Sequence, residues 1–233
     1  MQELKKAVVT GASSGIGKAI SMKLLELGYE VIGISRDIKP EDFAQENFIA
    51  IQCDLSSEQE TLQLCENIKR TTVHILINCA GFGRFEPHEE LSRKTIMQMT
   101  FLNLTSPMLL TNTLLRSLKK TDGYLININS IEALRASKFA AVYSATKAGL
   151  KAFGDSLFEE TRKSNLSVTN INPDMTETNF FDQLHFKVSE KEDEKLLVSD
   201  IAEAVVHILK MRKGAVVSNY TIRSQKFGIS KKN

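Results

Sequence analysis

The chain has 233 residues, 42% of them hydrophobic, and 30 lysines and arginines against 28 aspartates and glutamates, a formal charge of +2. That length suits a single α/β domain over 1–233 with a full core, and the near balance of charge gives no case for a nucleic-acid or anionic-membrane partner. Three cysteines, Cys53, Cys65 and Cys79, with neither a CxxC pair nor a histidine cluster, exclude an ordinary metal site and favour a reducing compartment; with no signal-peptide core at Met1-Gln-Glu-Leu-Lys-Lys and no apolar run near twenty residues, the expectation is a cytoplasmic protein.

Short runs of Val, Ile and Leu alternate with segments of helical spacing. Strands are expected over 6–10, 30–35, 48–53, 74–79, 124–129, 167–171 and 215–222, and helices over 14–27, 57–70, 92–118, 142–163 and 199–211. Seven strands with crossover helices predict an α/β, doubly wound (Rossmann) parallel sheet with helices on both faces. Gly28 can end the first helix, Asp122-Gly123 supplies a turn, and Pro107 should kink or divide the third helical segment. Cys53 and Cys79 each end an apolar run and are expected to be small buried thiols. The segment 174–198 interrupts the rhythm: it holds Phe180, Phe181, Leu184 and Phe186, turns charged, and is a candidate lid over the ligand crevice. Lys226 and Lys231-Lys232 read as a solvated tail.

Between the first strand and first helix lies Thr10-Gly11-Ala-Ser13-Ser14-Gly15-Ile16-Gly17. The first glycine permits a sharp turn, the others remove side chains where backbone must approach a pyrophosphate, and the helix aims its free amides and positive end at the anion. The second strand ends Ser35-Arg36-Asp37. Ser35 and Arg36 offer a hydroxyl and a guanidinium to a 2′-phosphate, favouring NADP(H) over NAD(H); the alternative makes Asp37 a ligand of a free ribose hydroxyl. Asp54 is placed to accept from an adenine amino group or to cap the next helix.

Tyr143 and Lys147 stand four residues apart on an expected helix, hence on one face, with Ser130 thirteen residues before the tyrosine. An ammonium beside a phenol should bring its pKa, ordinarily about 10, down toward neutrality, so that Tyr143 gives a proton to a carbonyl oxygen while Ser130 donates a hydrogen bond to the same oxygen. The set suits hydride transfer with a nicotinamide cofactor.

These segments, with Asp54-Leu55, Asn78-Cys79-Ala80-Gly81, Asn103, Asn127 and Pro173 with Thr178, resemble the single-domain short-chain dehydrogenases/reductases over nearly the whole chain. The resemblance implies a catalytic tetrad of Ser130, Tyr143, Lys147 and Asn103, the last supporting a water that relays protons to Lys147. It also implies cofactor contacts at Leu55, Asn78, Ala80, Gly81, Pro173, Thr176 and Thr178, a role for Lys147 at the nicotinamide ribose, and a homodimer or homotetramer. The chain departs from the family pattern at Cys79 and Asn129, where Asn and Ser are usual, at Asp174, where glycine is usual, and in lacking a C-terminal Gly-Gly; a C-terminal arm completing a neighbouring subunit is therefore not expected.

Phe82, Arg84, Phe85, the stretch 132–135 and Phe180, Phe181 and Phe186 are candidates to face a hydrophobic or aromatic ketone or aldehyde, although the phenylalanines could equally pin the loop to the core, and Arg84 and Arg135 could be simply solvated. The leading expectation is an NADP(H)-dependent oxidoreductase interconverting a carbonyl and an alcohol. The alternative is an NADP(H)-binding regulatory protein in which Asp174 has weakened catalysis. A nucleotide-sugar epimerase or dehydratase is disfavoured, because only about 60 residues follow Pro173.

Overall fold

A computed structural model describes residues 4–182 and 184–231. The first residues of the N-terminal entry, Gln183 of the expected lid and Lys232 of the expected solvated tail lie outside the described residues.

In chain order the elements are β1 (Lys6–Thr10), α1 (Gly15–Glu26), β2 (Glu30–Ser35), β3 (Phe48–Gln52), α2 (Glu58–Ile68), β4 (Ile75–Asn78), α3 (Arg93–Thr100), α4 (Ser106–Lys120), β5 (Tyr124–Ile128), α5 (Ala141–Thr161), β6 (Ser167–Pro173), β7 (Phe186–Val188), α6 (Val198–Leu209), β8 (Asn219–Ile222) and β9 (Ile229–Lys231). Seven of the strands form one parallel sheet in the order β3-β2-β1-β4-β5-β6-β8. The order reverses between β1 and β4, which opens a crevice beyond the strand ends where sheets of this kind take ligands.

Alternation along each strand builds two cores. Ala7 and Val9 bury with Ile20, Leu24, Ile201 and Val205 under α1 and α6, while Val8 lies on the opposite face with Leu64, Leu110, Leu114, Leu118 and Leu157. Gly28 has φ +81 just past α1, and Asp122 has φ +48 in the turn before β5, as the local sequence requires.

Two expectations need correction, and the break expected at Pro107 takes a specific form. The seventh strand is Asn219–Ile222, not 215–222, because only those four residues find register partners on β6. The long third helix divides: a π turn, Phe101–Thr105, separates α3 from α4. Pro107 has no N–H to give the Asn103 carbonyl, so the preceding turn widens, and Ser106 N–H reaches back five residues to Phe101 O. The 174–198 loop is not wholly irregular: it contains β7, which pairs antiparallel with β9, and Thr176 bridges Leu196.

A row of asparagines crosses the sheet. Asn78 on β4 is in register with Asn127 on β5, Asn127 with Asn170 on β6, and Asn170 with Asn219 on β8. Asn78 Nδ2 donates to Asn127 Oδ1 at 2.9 Å, and Asn127 Nδ2 to Asn170 Oδ1 at 3.1 Å. Asn170 Nδ2 then donates to Lys151 O at 3.1 Å and Asp155 Oδ1 at 2.9 Å, and Asn219 Nδ2 to the same Asp155 oxygen at 3.0 Å. Gly154 makes this approach possible, since any side chain there would collide with the Asn170 amide. Salt-bridged to Lys151 and hydrogen-bonded to the two asparagines, Asp155 is held below its ordinary carboxylate pKa even though its desolvation pushes the other way. We expect Asn170→Leu to lower the unfolding free energy in urea by about 2–3 kcal/mol, since it strands several buried partners at once.

Candidate active site

Each functional side chain stands at the carboxyl end of a strand or on the helix that follows. At the end of β1 Gly11 takes φ +69, and a side chain at Gly17 would collide with the Gly11 carbonyl, so the helix entry and the strand exit can close on each other only without them. Ser14 is the N-cap of α1 and makes no side-chain cap bond, which leaves the first-turn amides of α1 without a side-chain acceptor. Ser13 Oγ lies 2.8 Å from Ser35 Oγ, tying the loop to the tip of β2. Arg36 and Asp37 are both exposed just beyond. These bare amides and the Cβ-free cradle fit a dinucleotide pyrophosphate.

Thr10 has a role that the motif alone did not assign. Its Oγ1 accepts from Cys79 N at 2.9 Å and Ala80 N at 3.0 Å, and donates to Ile77 O at 3.3 Å, locking the turn after β4 beside the glycine loop. The 174–198 loop closes the other side: Thr178 Cγ2 would stand 3.3 Å from a side-chain carbon at Gly15. Thr176 is buried, its Oγ1 donating to Asp174 O at 3.0 Å.

Several expected ligands have structural work. Asn78 is buried in the asparagine row, also donating to Thr111 Oγ1 at 3.3 Å. Leu55 is 4% exposed in the second core, so only its main chain remains for a ligand. Asp54 does not cap α2, because Ser57 holds that position and accepts from Glu60 N. Asp54 Oδ1 instead closes a local turn, accepting from Ser56 N at 2.9 Å and Ser56 Oγ at 2.8 Å.

Ser130, Tyr143, Ile16, Asn129, Pro173, Asp174, Thr176 and Thr178 line one cavity of about 780 Å³. Ser130 Oγ accepts from Glu132 N at 3.2 Å, and its hydroxyl is close enough to the Tyr143 phenol to favour the phenolate. Tyr143 is 6% exposed, its ring 5.2 Å from Phe85 and 5.8 Å from Phe180, between centroids. Phe186 extends the cluster from Phe85 at 5.4 Å and Phe181 at 5.8 Å. The phenylalanines therefore pin the loop around Tyr143 and wall the cavity together. Arg135 is exposed but not merely solvated: it pairs with the buried Glu132 through Nε at 3.0 Å and Nη2 at 2.8 Å.

Lys147 Nζ donates to Ile128 O at 2.9 Å and lies 6.0 Å from the Tyr143 ring centroid. Asn103, in the π turn, accepts from Phe82 N at 3.0 Å, donates to Phe82 O at 2.9 Å and reaches Thr146 Oγ1 at 3.2 Å. Thr146 in turn donates to Tyr143 O at 2.8 Å. The Asn103 side chain is thus a tie between the turn after β4 and α5.

Electrostatics corrects one expectation. The Tyr143 phenol is not lowered by Lys147 but pushed up to about 12, because burial outweighs the Ser130 hydrogen bond and Glu132 adds negative charge nearby. Burial likewise lowers Lys147 to about 8, and its neighbour Cys79, pushed up to about 12, stays a neutral thiol. A lysine whose folded pKa is depressed adds stability as pH climbs from about 8 toward its ordinary 10.5, where the unfolded chain binds more protons; Tyr143, raised, removes stability only above its ordinary 10. Between pH 8 and pH 10, urea unfolding should show the parent protein gaining on the order of 2 kcal/mol over Lys147→Met, and a constant difference would contradict the depressed lysine.

The comparisons agree with this geometry. The short chain dehydrogenase family model matches residues 5–188. Human dehydrogenase/reductase SDR family member 11 is 34% identical over 229 residues, covering 87% of each chain, and zebrafish (Danio rerio) carbonyl reductase family member 4 is 31% identical over 179 residues, covering 74% of this chain and 76% of its own. Among solved structures, an alcohol dehydrogenase from the archaeon Thermococcus sibiricus complexed with 5-hydroxy-NADP superposes with TM-score 0.86 at 26% identity, covering 97% of this chain and 99% of that one. With a glycine cradle at the sheet's switch point and a Ser130, Tyr143 and Lys147 group at its rim, the chain belongs to the short-chain dehydrogenase/reductase family of oxidoreductases.

Proposed function

We propose that the protein is an NADP(H)-dependent oxidoreductase interconverting an apolar ketone or aldehyde and its alcohol, working in the cytoplasm as a homodimer or homotetramer. One observation carries this reading: Ser130 and Tyr143 line the same cavity as Ile16 of the glycine loop and Pro173 and Thr178, which would flank a bound dinucleotide.

A bound nicotinamide dinucleotide supplies or accepts the hydride. The chain's own residues do the rest. Gly11, Ser13, Ser14, Gly15 and Gly17 would hold the pyrophosphate, Ala80 and Gly81 let the cofactor lie close to β4, and Arg36 with Ser35 would meet a 2′-phosphate. Ser130 donates a hydrogen bond to the carbonyl oxygen, and Tyr143 gives that oxygen its phenolic proton in reduction and takes it back in oxidation. At a pKa of about 12 Tyr143 is fully protonated at neutral pH, which suits it to act as the acid; oxidation needs a positive charge nearby to favour the phenolate, from Lys147 and the oxidised ring together. Asn103 would support the water relay to Lys147 that the family resemblance implies.

The Asp174 carboxylate does not favour the regulatory alternative, because Arg223 Nε meets it at 3.3 Å and compensates its charge. The name of the zebrafish relative and the NADP analogue in the archaeal structure both support the carbonyl and NADP(H) assignments.

Oxidation of NADPH and NADH by the purified protein across ketones and aldehydes tests the reading. We expect NADPH to be preferred, and Tyr143→Phe to lower kcat by about 10²–10⁴-fold while NADPH binding persists. Tight NADPH binding with no turnover of any carbonyl would instead support the regulatory protein. Arg36→Ala should raise KM for NADPH about tenfold and leave KM for NADH nearly unchanged, as loss of a charge-assisted phosphate contact predicts.

A further inference from the structure

Beyond β8 the chain turns back over the 174–198 loop, and its contacts there converge on that loop. Arg223 Nε donates to the Asp174 carboxylate, whose side chain is 3% exposed, at 3.3 Å. Lys226 N donates to Asp193 O at 2.7 Å, and its ammonium pairs with the Asp193 carboxylate at 2.6 Å, so this lysine is exposed, as expected of the tail, and also tied to the loop. β9 pairs antiparallel with β7, placing Val188 opposite Ile229 and Phe186 opposite Lys231. Gly228 packs so tightly on Glu194 that a side chain there would collide with its carboxylate.

Phe227 lies between these fixed points. It is 62% exposed and is one of the walls of the cavity that holds Tyr143 and Ser130. A lone exposed phenylalanine ordinarily means nothing. This one stands at the rim of a cavity whose inner wall is already Phe85, Phe180, Phe181 and Phe186, and its neighbours on both sides are anchored.

We propose that Phe227 is a specificity-determining residue: it forms the outer wall of the substrate pocket and closes on the apolar body of a bulky aryl or alkyl carbonyl, with residues 223–231 acting as a clasp that holds it and the loop in place. This deepens the carbonyl-oxidoreductase reading and rests on it. The aromatic wall around Tyr143 makes the pocket apolar on its inner side, and a ring that is mostly in water gains most from covering an equally apolar ligand. The Arg223 contact serves the same end, since it neutralises a carboxylate on the pocket wall that would otherwise repel an apolar ligand.

The test uses 2-butanone, acetophenone and heptanophenone with the parent protein, Phe227→Ala, Phe227→Leu and Arg223→Gln. Turnover is followed with NADPH. Binding is followed separately by saturation-transfer NMR in the presence of NADP⁺, where no hydride is available. We expect the ratio of kcat/KM for heptanophenone to that for 2-butanone to fall about tenfold in Phe227→Ala, the effect of withdrawing one aromatic wall, and to recover partly in Phe227→Leu. Heptanophenone binding should weaken in parallel. Arg223→Gln should lower the same ratio and speed amide hydrogen exchange in residues 186–188. An unchanged ratio, an equal loss for all three ketones, or a parent protein that binds none of them overturns the assignment. If the parent binds the ketones but reduces none, the carbonyl reading fails on its own, and the binding series still decides whether Phe227 is the wall.

Discussion

The site depends on how α5 is fixed to the sheet. An apolar helix face alone tolerates small rotations, and a rotation of α5 would carry Tyr143 and Lys147 off the strand ends. Polar contacts remove that freedom. Asn170 holds the Lys151 carbonyl and the Asp155 carboxylate, Lys147 holds the Ile128 carbonyl, and Asn103 reaches the same helix through Thr146. Each of these bonds is directional and at least partly buried, so slipping the helix would strand several donors and acceptors at once. The asparagine row thereby converts sheet register into the position of a phenol.

The same burial sets the electrostatic problem. Removing water from Tyr143 and Lys147 disfavours the charge on both, so the phenol rises and the ammonium falls. Proximity of a lysine to a tyrosine does not by itself make a base. Ser130 works against the rise, since its hydroxyl favours the phenolate. Buried in this way, the Tyr143 phenol keeps its proton at neutral pH.

On the substrate side, one loop answers to two regions distant in sequence. Thr178 leans on the glycine loop near the start of the chain, and β7 is paired by β9 near its end. The aromatic cluster around Tyr143 belongs to the lid and to the turn after β4, held by contacts from both.

The strands, the helices and the family were legible in the sequence because their signals are local. Val, Ile and Leu runs mark buried parallel strands, glycine spacing marks the cradle, and Tyr143 and Lys147 share a helix face by periodicity alone. Pro107 announced a break, though not that it would take the form of a π turn around Asn103. What only the tertiary structure decided depends on groups brought together across the chain. Asn78, Asn127, Asn170 and Asn219 look unrelated until strand register aligns them; Thr10 becomes a lock only when β4 lies beside β1; Phe227 enters the pocket only because β9 pairs with β7. The pKa of Tyr143 belongs to the same class, since spacing shows that a lysine is near, while the extent of burial, which outweighs it, exists only after the chain has packed.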